Sequence, residues 1–304
     1  MDVMRHSRSK DFDQALSTFE GMPRAQRWSE VSPDPNAAVV LARRAETLRA
    51  AWRPDVADRL AFLEHRCRDQ LVLDIGCVAH DVERMKSPNW LHGRIAGVAR
   101  RCVGVDVLPE GVAAMTGHGY EVVLQDLGSG LGELADIAPF DVIVAGELIE
   151  HVEAINMLFD VASEALAPDG ELIITTPNPY APHRVRAAQR GTVWENVDHI
   201  VYAFPSGVAE LAERHGLLLA EAATTVERWP RLSLEDRLRA VKRRLFGRQW
   251  RTVGFASVST RGVQTVGFGP LGAAVRGMRW PRRRFLGETF IYVVTRAPQG
   301  ASYG

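Results

Sequence analysis

Glu147, Glu150 and His151 stand together in the run Phe140-Asp141-Val142-Ile143-Val144-Ala145-Gly146-Glu147-Leu148-Ile149-Glu150-His151. Two carboxylates and an imidazole this close can ligate a divalent cation or move a proton from a hydroxyl. The β-branched run Val142, Ile143, Val144 has the composition of a buried parallel strand, and it stops at Gly146 before a segment that reads as helix. On a helix the three polar residues fall at i, i+3 and i+4 and share one face. Ligands of open α/β sheets sit beyond the carboxyl ends of the strands, so the chemistry is expected at this edge.

Other strands end in the same manner. Leu71-Val72-Leu73-Asp74-Ile75-Gly76-Cys77 is a buried strand closing on an aspartate and a glycine. The glycine admits a ligand close to the backbone, and Asp74 can accept from an amine. Cys102-Val103-Gly104-Val105-Asp106-Val107 places a second acid where nucleotide folds bind ribose hydroxyls, and Glu121-Val122-Val123-Leu124-Gln125-Asp126 supplies a third. A lone strand-terminal Asp is often only a cap or turn former. Between the first two strands, His80-Asp81 and Asn89-Trp90-Leu91-His92 read either as pocket wall or as a capped helix with a buried Trp.

The elements that must hold these residues follow from pattern. Residues 1–36 are polar and read as a loose arm, ending in Ser32-Pro33-Asp34-Pro35-Asn36. Two helical segments, 38–52 and 56–66, are expected to cover the sheet, with Pro54 opening the second. Further on, 154–165 has helical spacing, Leu166-Ala167-Pro168-Asp169-Gly170 is a turn, and 171–176 is a strand running into Pro177-Asn178-Pro179. Asn196-Val197-Asp198-His199 precedes an amphipathic helix over 206–215 closed by Gly216, then strands over 217–225 and 287–295.

The 304 residues are 46% apolar, with Lys plus Arg and Asp plus Glu equal at 37 each, so no global field selects nucleic acid or an anionic membrane. Cys67, Cys77 and Cys102 lack paired spacing, which fits a reducing cytoplasm and excludes a cysteine zinc site or disulfide framework. No apolar run reaches membrane-spanning length, and the first residues lack a signal-peptide core, so a cytoplasmic protein without a membrane span is expected.

In this order and spacing, Leu73-Asp74-Ile75-Gly76-Cys77, Asp106, Asp126, Phe140 to Val144, Glu150-His151-Val152, Leu166 to Gly170 and Thr176-Pro177-Asn178 resemble the class I S-adenosylmethionine-dependent methyltransferases. The resemblance covers roughly residues 60–226 and the last strand. It implies an α/β fold with a Rossmann-like seven-stranded sheet, N-terminal helices, and cofactor contacts from Asp74, Gly76 and Cys77 at the methionine end, Asp106 and Val107 at the ribose, and Asp126 with Leu127 at the adenine. The first loop departs from the family, since Val78 and His80 stand where glycines are usual; loss of cofactor binding would leave a non-catalytic scaffold.

Methyl transfer to an oxygen requires in-line placement and removal of a proton. Glu147, Glu150 and His151, with His199 from another strand end, would make a magnesium- or manganese-binding site able to hold a diol, with His151, His199 and Glu150 as catalytic groups. A metal-free base is the other reading. The same residues with Asp198 resemble the metal site of small-RNA 3′-terminal 2′-O-methyltransferases, and more of the chain resembles bacterial sugar and polysaccharide O-methyltransferases. The expected acceptor is therefore a saccharide or small sugar-bearing metabolite, with an RNA 3′ end as the alternative.

The expected organisation is an arm at 1–36, a core at 37–226, an insertion at 227–286 and a last strand and tail at 287–304. The insertion concentrates Lys242, Arg243, Arg244, Arg248, Arg251, Arg276, Arg279, Arg282, Arg283 and Arg284 with interleaved aromatics. It reads as a sugar-stacking lid, a phosphate contact or a nucleic-acid surface, or as a solvated helix with a homodimer contact.

Overall fold

The structure is a computed structural model and describes residues 27–78, 82–193, 195–225 and 287–297. The basic insertion, His80, Asp81 and the first 26 residues lie outside them, so neither the lid nor the nucleic-acid reading of the insertion is tested.

Strands β1 (Leu71–Ile75), β2 (Arg101–Asp106), β3 (Glu121–Leu124), β4 (Phe140–Gly146), β5 (Leu166–Pro177), β6 (Leu217–Thr224) and β7 (Thr289–Arg296) form one sheet. Among the described residues its order is β3-β2-β1-β4-β5-β7-β6, parallel except for β7, which runs antiparallel to both β5 and β6. This is the expected seven-stranded Rossmann-like sheet. The order reverses between β1 and β4, which opens a crevice at their carboxyl ends.

The apolar runs are continuous because both faces are covered. Leu73, Ile143, Leu172 and Tyr292 enter one buried cluster, with Leu158 and Phe159 of α6 (Asn156–Ala165) and Val208 and Ala212 of α8 (Pro205–Arg214). Their neighbours Val72, Val142, Val144, Ile173 and Val293 enter another, with Leu63 and Cys67 of α3 (Arg59–Cys67) and Ile95 of α4 (Leu91–Ala96). Asp74 shares the second face with Val72, since strand side chains alternate.

Three expectations on the elements are corrected. The arm is not loose throughout, because Trp28–Val31 forms the one-turn helix α1, and Trp28 Nε1 donates to Glu210 of α8 at 3.0 Å. After α2 (Ala38–Ala51), residue 56 is extended: Val56 N donates to Thr224 O at 2.8 Å along the sheet edge. Helix α3 starts only at Arg59, because the Asp58 side chain caps Leu60 N and Ala61 N. Strand β5 begins at Leu166, not Glu171, since Leu166 pairs with Phe140 ahead of a register shift. Among the described residues no helix is long and apolar enough to cross a membrane.

All three cysteines are free, and burial raises every thiol, Cys67 to about 12 and Cys77 and Cys102 well above the ordinary value. Native protein at pH 8 is therefore expected to resist iodoacetamide, with mass spectrometry finding all three sites alkylated only after unfolding. Rapid labelling of Cys77 in the native state would show its environment to be open.

Candidate active site

One cleft of about 1230 Å³ lies at the carboxyl ends of the strands. Every site residue expected from the sequence lines it: Asp74, Gly76, Cys77, Asp106, Val107, Asp126 and Leu127 on one side, and Glu147, Glu150, His151 and His199 on the other. The volume exceeds that of an ordinary small-ligand pocket, leaving room for two reactants.

On the first side, Gly76 has φ +72, and its N donates to Val105 O at 2.9 Å, carrying the β1–β2 ladder into the loop. A side chain there would be strained and would meet Leu148. Asp106 ties the two adjacent loops together, Oδ2 accepting from Val78 N at 2.9 Å and Oδ1 from Leu108 N at 3.1 Å. Val78, in place of the usual glycine, fits because it packs on Gly111 of α5 (Pro109–Gly117), where a Cβ would come within 2.2 Å of it. Asp126 accepts from Gly128 N at 2.8 Å. The stretch Asn89 to His92 serves both readings at once: His92 lies on α4, while Trp90 is its buried N-cap residue, and all four residues line the cleft.

The second side differs from the expected helix face. Beyond β4 the chain turns: Glu147 takes φ +54, its N donates to Thr175 O at 2.8 Å, and His151 N donates to Leu148 O at 2.9 Å. No helix runs from Glu147 to His151, and the next one starts at Asn156. The i, i+3, i+4 argument therefore fails for Glu147. It faces Arg59, Oε1 to Nη1 3.6 Å, and is not among the ligand atoms that converge. Those belong to Glu150, His151 and His199, whose ligand atoms lie within 4.8 Å of one another. His199 is brought in when Ile200 N donates to Glu150 O at 2.8 Å.

Each imidazole has a carboxylate within ion-pair distance, although His199 Nδ1 makes no hydrogen bond of good geometry. His151 Nδ1 lies 3.2 Å from Asp198 Oδ2, and His199 Nδ1 lies 2.5 Å from Glu195 Oε1. The rings meet edge to face at 4.6 Å. Glu195 is held in turn by Arg184 Nε at 2.8 Å and by the Tyr202 hydroxyl. Burial acts to raise its pKa, but the hydrogen bonds donated by Arg184 and Tyr202, with the guanidinium charge, hold it at about 2. Sequence reasoning missed Glu195, Arg184 and Tyr202, because no motif links a cluster assembled across a loop.

Glu150 is wholly buried. Thr176 Oγ1 donates to its Oε2 at 2.9 Å, while Oε1 has no hydrogen-bond partner. Burial and then the Glu147 charge raise its pKa to about 7. Such an arrangement suits a proton acceptor near neutrality or a ligand completed by a cation.

A family model described as "Methyltransferase domain" matches residues 44–259, more than half of the chain. A stretch of 110 residues, 35% of the chain, is 33% identical to the ubiquinone biosynthesis O-methyltransferase of Azorhizobium caulinodans and spans 40% of that relative's length. Among solved structures, the SAH-bound magnesium protoporphyrin IX methyltransferase of Synechocystis is 16% identical over 56% of this chain and 74% of its own, with a TM-score of 0.41. A SAM-dependent methyltransferase of Archaeoglobus fulgidus is 13% identical over 88% and 96%, with a TM-score of 0.37. With the family model spanning β1 to β6 and the loops that build the cleft, the chain belongs to the class I S-adenosylmethionine-dependent methyltransferases.

Proposed function

We propose that the chain moves a methyl group from S-adenosylmethionine to a hydroxyl of a diol in a saccharide or sugar-bearing metabolite, with Glu150, His151 and His199 activating that hydroxyl. The observation that carries the reading is the buried Oε1 of Glu150, without a hydrogen-bond partner, beside two histidine nitrogens. A buried carboxylate oxygen costs free energy unless something pairs with it, and a cation or a hydroxyl proton would do so.

The donor set fits a divalent ion. One carboxylate and two imidazoles, each imidazole backed by an acid, make a metal site of ordinary composition, and two nitrogens favour a manganese-like ion over magnesium. A bound ion would lower the pKa of a hydroxyl and fix its orientation. The chain's own residues do the rest. Asp198 and Glu195 flank the two rings; with an ion on both rings the hydroxyl proton passes to solvent, and without an ion one ring takes it, as the oxygen–methyl bond forms and the sulfur–methyl bond breaks. Asp74, Asp106 and Asp126, at the ends of β1, β2 and β3, hold the methyl donor in the same cleft.

A polar acceptor agrees with the cleft lining, where Arg59, Arg84, Asn89, Arg184 and Asn196 offer donors around the site. Transfer to oxygen agrees with the name of the Azorhizobium relative. The test is a methylation screen over diol-bearing sugars, before and after chelation. Chelator is expected to abolish turnover, and manganese is expected to restore it better than magnesium. Full turnover in chelator would remove the metal and leave the imidazoles as bases.

A further inference from the structure

Behind Asp74 lies a histidine that the proposed chemistry does not use. His92 is 1% exposed and its Nδ1 lies 2.9 Å from Asp74 Oδ2, itself on a residue 2% exposed. The pairing follows from the fold. Asp74 points to the sheet face that α4 covers, and His92 sits three residues before Ile95, the apolar anchor of that helix on the same face.

The ring is enclosed on several sides. Trp90 and Tyr120 flank it, each at 5.4 Å between ring centroids. Gly104 stands opposite Asp74 in the β1–β2 register, and a Cβ there would come within 3.0 Å of His92 Cε1 and 2.7 Å of Cys77 Sγ. Within this enclosure Nε2 makes no hydrogen bond. A buried polar atom left unsatisfied costs about 1–3 kcal/mol, so an apolar ring would suit stability better than this one. What the imidazole adds is its bond to Asp74.

That bond matters because the neighbouring backbone donors are committed elsewhere. Val78 N and Leu108 N both go to Asp106. Asp74 lines the cleft near the end of β1, and with the loop that follows short of glycines its carboxylate needs another means of orientation. We propose that His92 is a positioning residue: it fixes one oxygen of Asp74 so that the carboxylate presents its other oxygen to the α-amino group of the cofactor's methionine end. The inference rests on the cofactor reading above. His92 touches no reactant; it acts through Asp74.

The test uses the full chain and two ligands, S-adenosylhomocysteine and 5′-methylthioadenosine, which lacks the amino-acid end. Calorimetry on His92→Phe is expected to show about a 10-fold weaker Kd for the first ligand and less than about a twofold change for the second. His92→Asn, whose amide can stand in for Nδ1–H, is expected to restore S-adenosylhomocysteine binding to within about threefold of the parent. Gly104→Ala crowds the ring from another side and is expected to give the same ligand-selective loss. Equal losses for both ligands would mark His92 as a packing residue, and unchanged S-adenosylhomocysteine binding in His92→Phe would also overturn the proposal. Failure of the parent protein to bind S-adenosylhomocysteine would instead remove the cofactor reading, and the inference with it.

Discussion

Glu150→Gln is expected to lower kcat by about 10²–10³-fold, leave the Kd for S-adenosylhomocysteine within about threefold, and raise thermal stability in chelator above pH 7. The first effect follows from exchanging a buried acceptor at the meeting point of His151 and His199 for an amide of similar shape. The second follows because Glu150 comes after β4, whereas Asp74, Asp106 and Asp126 stand at the ends of β1, β2 and β3. The third is a linkage argument. Burial and the charges of Glu147 and Glu195 put the folded pKa at about 7, above the ordinary 4.5, despite the Thr176 hydrogen bond. The contribution of this proton to stability is thus fully present below about pH 4.5 and lost as pH rises through about 7. The full loss is about 3 kcal/mol in order of magnitude. An amide carries no charge to desolvate, so the variant should lack that decline. Tm against pH in chelator reads this directly. Parallel curves for parent and variant would show that Glu150 is not an ionised, desolvated group, and an unchanged kcat would remove it from the site. Stability given up for a charged group is common where that group does chemistry.

The sheet was legible because covering both faces forces apolar residues at every position, a signal that survives without neighbours. The acids Asp74, Asp106 and Asp126 were legible for the same reason: each interrupts such a run at its carboxyl end. The segment after β4 was misread as helix because Glu147-Leu148-Ile149-Glu150 are helix-compatible residues. The left-handed turn at Glu147 accompanies a hydrogen bond to Thr175, 28 residues away, so tertiary pairing overrides propensity there. The late start of α3 was in principle readable, since Asp58 is a strong capping residue directly before Arg59. Glu195 was not. Its meaning depends on Arg184, Tyr202 and His199 meeting in a loop, and spacing carries no record of that.

Asp106→Ala is expected to weaken S-adenosylhomocysteine binding about 100-fold, equivalent to about 2.7 kcal/mol, while kcat at saturating cofactor stays within about threefold. Asp106 is 8% exposed and lines the cleft, and its carboxylate accepts from one backbone N–H of each flanking loop. Each oxygen keeps a further lone pair, so the group can accept from two ribose hydroxyls without giving up its loop contacts. Truncation removes both functions. The hydroxyls lose a charged acceptor, worth about 1.5–3 kcal/mol, and Val78 N and Leu108 N lose their partner, which loosens the loop that carries Val78. Asp126→Ala is expected to cost less, below about fivefold, because Asp126 is exposed, screened by solvent, and bonded to Gly128 N within its own turn. The split between binding and turnover decides the assignment. An Asp106→Ala protein whose Kd is unchanged but whose kcat collapses would place Asp106 at the reacting atoms, and the two walls of the cleft would have to exchange roles.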